Sequence, residues 1–483
     1  MNEKHGIGTR TLRGMFWAYG AYFGGRLVVL GSTAVLARLL SPRDFGLVAL
    51  ALVFMTFMDA LQDLGLGEAL IVSSPGEETD RAQTVFSWTV VFGFSLTVLT
   101  AALSPLIADF FRQPGLRWLL SAIGVNFFVR SLGATHYALA RKDLNYRVRT
   151  VSELAEVLVR GTLGISLAIA GFGAWSLTIG FIAGVLASTA SLIVLVDFRP
   201  RLRLTRRHLK DLMKFGGVLT LVDIGSTLTY NLDYVFVGRV LGAASLGLYT
   251  IGFRLPELVI LNLANVAADV LFPAYSAVDA EHLRDAYLVA LRYVAMATLP
   301  AAVTLILLAR PIILVAFGHH WTHSITVMQV ITLYTMCVVL TIPSGSIFKV
   351  TGRAWIMLVF SVPGIAVLFV GLLIFAHDGI LAVAWTTTGM QATALPFEIW
   401  WGSRQLGVPV LASLQAIAPT VIAAAGMAAV IFALATFITV PILAILAGTL
   451  VGSSVYLGLL FLTARDSLER LRAMAFPASV ASS

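Results

Sequence analysis

Three arginines lie where an arginine is expensive to keep. Arg26, Arg130 and Arg254 each fall inside a long apolar stretch, and an ionisable side chain in such a stretch has to face a cavity or a partner. At about 1.5 Å per residue, Arg26 lies about 18 Å and Arg254 about 14 Å from the nearer counted end of its stretch, close to mid-bilayer. Arg130 is also deep, but nearer one surface. Arginine keeps its charge at any relevant pH, and its planar fork grips phosphate through two parallel hydrogen bonds. Two mid-depth arginines, one from each half of the chain, suit a diphosphate held midway across a membrane. Arg26 shares a helical face with Tyr19, Tyr22 and Thr33, a wet face compatible with sugar. The competing explanation is intramembrane ion pairing. Arg254 has Glu257 at i+3 for that purpose, whereas Arg26 has no acid at i±3 or i±4.

A second polar stripe runs through Asp223, Thr227, Tyr230, Asn231 and Tyr234 at helical spacing. Tyr230 and Asn231 join the arginines as candidates for contact with a polar substrate. Asp223, and Asp233 on a neighbouring face, are candidates for a coupling Na⁺ or H⁺; helix capping, a protonated carboxyl or pairing with Arg26 is the plainer use. Asp59, Asp63 and Glu68 form one acidic group, and Glu153, Glu156 and Arg160 share another helical face. Both groups sit toward the ends of their stretches, where side chains snorkel, and structural ion pairing is expected of them. His319 and His323 have the i,i+4 spacing of a zinc pair but no third ligand, so no metal is expected. The single cysteine, Cys337, excludes an intrachain disulfide. Phosphate-loop, His-Glu-x-x-His and Gly-x-Ser-x-Gly motifs are all absent. Transport rather than catalysis is the expectation, with no cofactor beyond the coupling ion.

The elements that would position these residues are set by composition. Of 483 residues 58% are hydrophobic and 12% charged, about half the charge of a soluble domain. Continuous apolar runs without strict alternation predict helices rather than a barrel. Fourteen spans are expected, at about 14–40, 45–73, 82–111, 117–140, 150–171, 174–197, 215–240, 245–273, 285–308, 324–348, 355–376, 379–401, 410–434 and 440–463. The first is too long for a signal peptide and is expected to be retained. With both termini cytoplasmic, twenty-two Lys and Arg fall inside and four outside, which favours that orientation. The net charge of +8 is thus explained by topology and anionic lipid rather than nucleic acid.

Ala37-Arg38-Leu39-Leu40 with Phe45-Gly46-Leu47 recurs as Gly238-Arg239-Val240-Leu241 with Leu246-Gly247-Leu248, at an offset of 201. The expected architecture is an all-α polytopic membrane protein with two pseudo-symmetric six-helix lobes around a central cavity, plus two C-terminal helices. The boundaries are 1–198 for the first lobe, 199–214 for a basic cytoplasmic linker, 215–402 for the second lobe, 403–464 for the last two spans and 465–483 for a tail. An even number of spans per repeat keeps both copies in one orientation, related by an axis along the membrane normal, an arrangement used for alternating access.

Leu36-Ala37-Arg38-Leu39-Leu40-Ser41-Pro42, Phe45-Gly46 and Asp63-Leu64-Gly65-Leu66-Gly67 resemble the first two spans of polysaccharide flippases of the O-antigen and colanic-acid type. Asn231-Leu232-Asp233-Tyr234, Gly238 to Gly242 and Leu246 to Tyr249 resemble their seventh and eighth spans, and Phe317-Gly318-His319-His320-Trp321 the turn before their tenth. The resemblance implies the multidrug/oligosaccharidyl-lipid/polysaccharide exporter superfamily. It further implies rocker-switch transfer of undecaprenyl-diphosphate-linked oligosaccharide to the outer leaflet of a bacterial inner membrane, alongside a polysaccharide polymerase and assembly proteins. In relatives that flip the lipid-linked peptidoglycan precursor, cavity arginines on the first and eighth spans bind substrate, the spans that carry Arg26 and Arg254 here. Three rivals stand beside this reading, one of them a scaffold that has lost transport and keeps its charged residues as structural pairs. A multidrug/cation antiporter would move amphipathic cations, which an arginine-rich cavity should repel. A membrane polysaccharide polymerase or ligase would need a sizeable outer loop, and the longest outer segment is about Ala309 to His323.

Overall fold

A computed structural model describes residues 24–62, 78–143, 145–202, 225, 227–279, 281–353 and 355–464. Among these residues all regular structure is helical. A chain this apolar must satisfy its backbone within each segment, and helices do so. The elements are α1 (24–39), α2 (Pro42–Gln62), α3 (Glu78–Phe110), α4 (Leu116–Ile123), α5 (Val125–Lys142), α6 (Tyr146–Ile169) and α7 (Ala174–Leu195). Then come α8 (227–236), α9 (Gly242–Pro256), α10 (Asn262–Ser276), α11 (Leu283–Leu307), α12 (Ala309–Ala316) and α13 (Ser324–Val350). The last are α14 (Trp355–Phe375), α15 (Ile380–Gln405), α16 (Val410–Phe437) and α17 (Pro441–Thr463). Nine helical runs among the described residues are long and apolar enough to cross a membrane, and the protein is a multi-pass membrane protein.

The expected span at 117–140 is two helices, α4 and α5, meeting at Gly124. A Cβ on that glycine would stand 2.8 Å from the Thr100 methyl of α3, so the bare backbone allows the close approach. Two π-helical turns, Val237–Leu241 and Glu257–Leu261, flank α9; nothing in the hydrophobic pattern announces them.

The recurring motif has a structural purpose. Ser41 and Asp44 cap α2 reciprocally: the Ser41 amide donates to Asp44 Oδ2 at 3.0 Å, and the Asp44 amide to Ser41 Oγ at 3.3 Å. Asp44 Oδ1 also accepts from the Ala174 amide at 3.1 Å, capping α7 as well. The two copies of the motif then touch reciprocally. A Cβ on Gly46 would lie 1.7 Å from the Ala243 carbonyl oxygen, and one on Gly247 would lie 1.8 Å from that of Pro42. Ala243 is the repeat mate of Pro42, and Gly247 of Gly46, so the pair of contacts has local two-fold symmetry.

The chain divides into two compact units, Met1–Gly247 and Leu248–Ser483. In the first, α6 and α7 cross backbone against backbone. Cβ atoms on Gly180 and Gly184 would stand 2.8 and 2.7 Å from the carbonyl oxygens of Arg160 and Glu156, the small-residue crossing of membrane helices. In the second, a buried hydroxyl cluster joins α11, α13, α15 and α16: Tyr287 Oη lies 3.1 Å from Ser344 Oγ, and Ser403 Oγ 2.8 Å from Ser413 Oγ. There α16 and α17 pack on α11 through Met296, Ala423, Met427, Ile431, Tyr456 and Leu460, and Tyr456 Oη donates to the Met296 carbonyl at 2.9 Å.

Candidate functional site

The close crossing of α6 and α7 leaves the charged side chains of α6 turned toward α2 and α5. There they border a cavity of about 490 Å³, within the size range of small-molecule sites. Asp59 from α2, Thr89 from α3, Arg130 and Tyr137 from α5, Ser152, Glu153 and Glu156 from α6, and Ser188 and Thr189 from α7 line it. Arg130 is its hub. Nη1 lies 3.6 Å from Asp59 Oδ2 and Nη2 4.0 Å from Glu156 Oε1, while the guanidinium carbon stands 5.7 Å from the Phe181 ring centroid.

The other cations of this region stand on rings or beside acids. Arg160 lies over the same Phe181 ring at 4.7 Å, and Arg149 over Tyr137 at 5.5 Å. Glu153 interacts electrostatically with Arg149, Glu156 and Arg26. An acid does therefore face Arg26, but from α6 rather than from its own helix, where the spacing rule looked for one.

This geometry changes what the site can do. The acids expected to be purely structural line the cavity, outnumbering its one arginine three to one. The expected arginine-rich interior that would repel cations is not what this cavity presents. Charge-assisted hydrogen bonds are strongest near 2.7–2.9 Å, so pairs at 3.6 and 4.0 Å are loose. With both partners partly exposed, such pairs contribute about 0–1 kcal/mol. A polyol can exchange into them at little cost.

The remaining candidates are spread over the chain. Arg254, in the second unit, holds Glu257 Oε2 at 3.3 Å, the i+3 pairing read from the sequence. Tyr230 on α8 is exposed. Asn231 turns its amide back to the Thr227 carbonyl at 2.9 Å. Asp233 is buried, with Oδ1 accepting from the Tyr234 amide at 2.9 Å. Tyr19, Tyr22 and Asp223, like Asp63 and Glu68, lie outside the described residues. Among the described residues no group of three His, Cys, Asp or Glu is arranged to hold a metal ion. Sequence reasoning missed Tyr137, Ser152, Ser188 and the two threonines, since hydroxyls scattered over four helices carry no spacing signal.

The profile of the polysaccharide biosynthesis protein family matches residues 35–326, and the chain belongs to that family. It is 26% identical over 456 residues to the succinoglycan biosynthesis transport protein ExoT of Rhizobium meliloti (strain 1021), covering 91% of this chain and 90% of that one. It is 26% identical over 366 residues to the lipopolysaccharide biosynthesis protein WzxC of Escherichia coli (strain K12), covering 73% of this chain and 72% of that one. The fold is that of the lipid II flippase MurJ in its inward closed conformation, with a TM-score of 0.78 at 18% identity over 94% of this chain and 100% of that one. It is also similar to an inward-facing multidrug resistance MATE transporter of the MOP superfamily, with a TM-score of 0.63 at 18% identity over 79% and 94%.

Proposed function

We propose that this member of the polysaccharide biosynthesis family is a transporter, not an enzyme, and flips a polyprenyl-diphosphate-linked oligosaccharide across a bacterial inner membrane by alternating access. The observation that carries the reading is the cavity around Arg130, a charged and hydroxyl-lined space among helices otherwise apolar enough for lipid. Charge kept within such stretches marks a substrate path. The likeness over nearly the whole chain to a succinoglycan transport protein supports a glycan as the cargo. Both termini are cytoplasmic in this reading, as the Lys/Arg asymmetry favours.

Arg26, in the first unit, engages the diphosphate and Arg130 the glycan; Arg254, in the second, is a separate candidate for phosphate. Each has a carboxylate nearby, Glu153, Asp59 with Glu156, and Glu257 respectively. Those acids balance the arginines in the empty carrier. A coupling Na⁺ or H⁺ at Asp223 or Asp233 resets the cycle, and a polysaccharide polymerase with its assembly proteins consumes the product.

The cation-antiporter reading is favoured by one feature, the three carboxylates of the cavity; membership of a polysaccharide family weighs against it. The deciding experiment follows lipid-linked oligosaccharide in a deletion strain. Accumulation on the cytoplasmic leaflet, relieved by the intact protein but not by Arg26→Ala with Arg254→Ala, is expected. Normal delivery of unpolymerised repeat units to the outer leaflet would overturn the flippase reading in favour of a polymerase.

A further inference from the structure

We propose that the cavity of the first unit is a glycan pocket that accepts neutral and amino sugars and discriminates against sugars bearing a carboxylate. The inference rests on the flippase reading and names the class of head group that reading leaves open.

The argument is an inventory of donors and acceptors. Asp59, Glu153 and Glu156 line the cavity, and ionised carboxylates only accept hydrogen bonds. Three of the five hydroxyls beside them, those of Thr89, Ser152 and Thr189, have already committed their protons to backbone. Thr89 Oγ1 donates to the Phe86 carbonyl at 3.0 Å, Ser152 Oγ to the Arg149 carbonyl at 2.8 Å and Thr189 Oγ1 to the Val129 carbonyl at 3.3 Å. What those three hydroxyls have left to offer an occupant is lone pairs. The one cationic donor in the lining, Arg130, is shared between Asp59 and Glu156. Even with the Tyr137 and Ser188 hydroxyls counted as donors, the cavity is richer in acceptors than in donors.

A guest that fits such a surface is donor-rich. Sugar hydroxyls are donors, and the ammonium of an unacetylated amino sugar adds three more with a favourable charge. Tyr137, with Arg149 against its ring, adds a flat aromatic surface for the C–H face of a sugar. A uronic acid brings the wrong chemistry. Its carboxylate meets three like charges and can pair only with an arginine already held by two of them. Juxtaposed like charges are how interfaces refuse wrong partners.

The test uses the full chain in nanodiscs and four probes: polyprenyl diphosphate alone, or carrying one glucose, one glucosamine or one glucuronic acid. Binding is read by native mass spectrometry and tryptophan fluorescence. Glucose and glucosamine are expected to raise affinity over the bare diphosphate, and to exceed glucuronic acid by about tenfold or more. Glu153→Gln with Glu156→Gln is expected to narrow that gap to about threefold or less, mainly by admitting glucuronic acid. Equal affinity for the three glycosylated probes overturns the inference and leaves the flippase reading standing, and the wild-type ratio decides this even if the double variant folds poorly. A gap that the well-folded double variant leaves unchanged overturns it as well. If none of the four probes binds, the flippase reading itself falls.

Discussion

The two units differ in their interiors. In the first, the polar atoms among the helices are ionic: Asp59, Arg130, Glu153 and Glu156 surround a cavity, with Arg149 and Arg160 on neighbouring rings. In the second, beside the Arg254–Glu257 pair, a set of hydroxyls closes on itself, Tyr287 on Ser344 and Ser403 on Ser413, and all four residues are buried. A closed hydroxyl cluster is satisfied internally and holds helices in register. A cavity of loosely paired ions is satisfied only provisionally and can trade its partners for a guest. The first unit thus carries a cavity open to exchange, and the second a cluster built for rigidity.

The largest expected effect lies at the reciprocal contact of the repeat motifs. Gly46→Ala and Gly247→Ala each place a Cβ within 2 Å of a carbonyl oxygen, where backbone rather than a side chain must yield. Each should cost about 1–3 kcal/mol or more, read as a lower unfolding temperature in detergent. Because the contacts are symmetric, the two losses should match. Gly225→Ala, with no atom of the described residues within 4 Å of the added one, should leave stability within about 0.5 kcal/mol of wild type. Unequal losses at Gly46 and Gly247 would show that the symmetry of the contact is superficial.

Next in size is the contrast between the interiors. Arg130→Leu removes the hub and leaves Asp59 and Glu156 facing each other without their common cation. Export should fall at least about tenfold, the effect of losing about 1.4 kcal/mol of substrate stabilisation, while the partly exposed ion pairs make the cost in stability small. Tyr287→Phe should do the reverse. Removing a buried hydroxyl that bonds Ser344 costs about 1 kcal/mol of stability and leaves transport per folded molecule unchanged. If Tyr287→Phe also abolished transport in folded protein, the assignment of rigidity to the second unit would be wrong.

Much of this arrangement was legible in the sequence. The fourteen apolar stretches register a strong physical demand, and each has its helical counterpart among the described residues. The Arg254–Glu257 pair was legible because helical neighbours follow from spacing alone. Arg26 and Arg130 were legible as costly charges, but their partners were not. Glu153, Asp59 and Glu156 reach them from other helices, and no periodicity within one helix encodes a contact between two. The π-turns beside α9 stayed hidden for a related reason: one extra residue per turn scarcely alters an apolar run. The paired glycines were visible as a repeat, yet only the structure shows that the repeat touches itself.

The smallest expected effect sharpens the comparison at a turn the two units build differently. Phe111 and Phe317 are both buried, and each precedes a residue with positive φ, Arg112 at 52° in the first unit and Gly318 at 95° in the second. Arg112 is the single non-glycine residue with positive φ among the described ones. For an L-residue the left-handed conformation costs about 1–2 kcal/mol, whereas glycine adopts it freely. Arg112→Gly should therefore stabilise the protein by about 1 kcal/mol, less what the more flexible unfolded chain takes back. Gly318, with ψ at −179°, occupies a region essentially reserved for glycine, so Gly318→Arg should destabilise the protein by about 1–3 kcal/mol. Thermal unfolding in detergent checks both signs. Destabilisation by Arg112→Gly would mean that the arginine side chain contributes more at the surface of the first unit than its backbone strain costs, and would give that charge a role the second unit lacks.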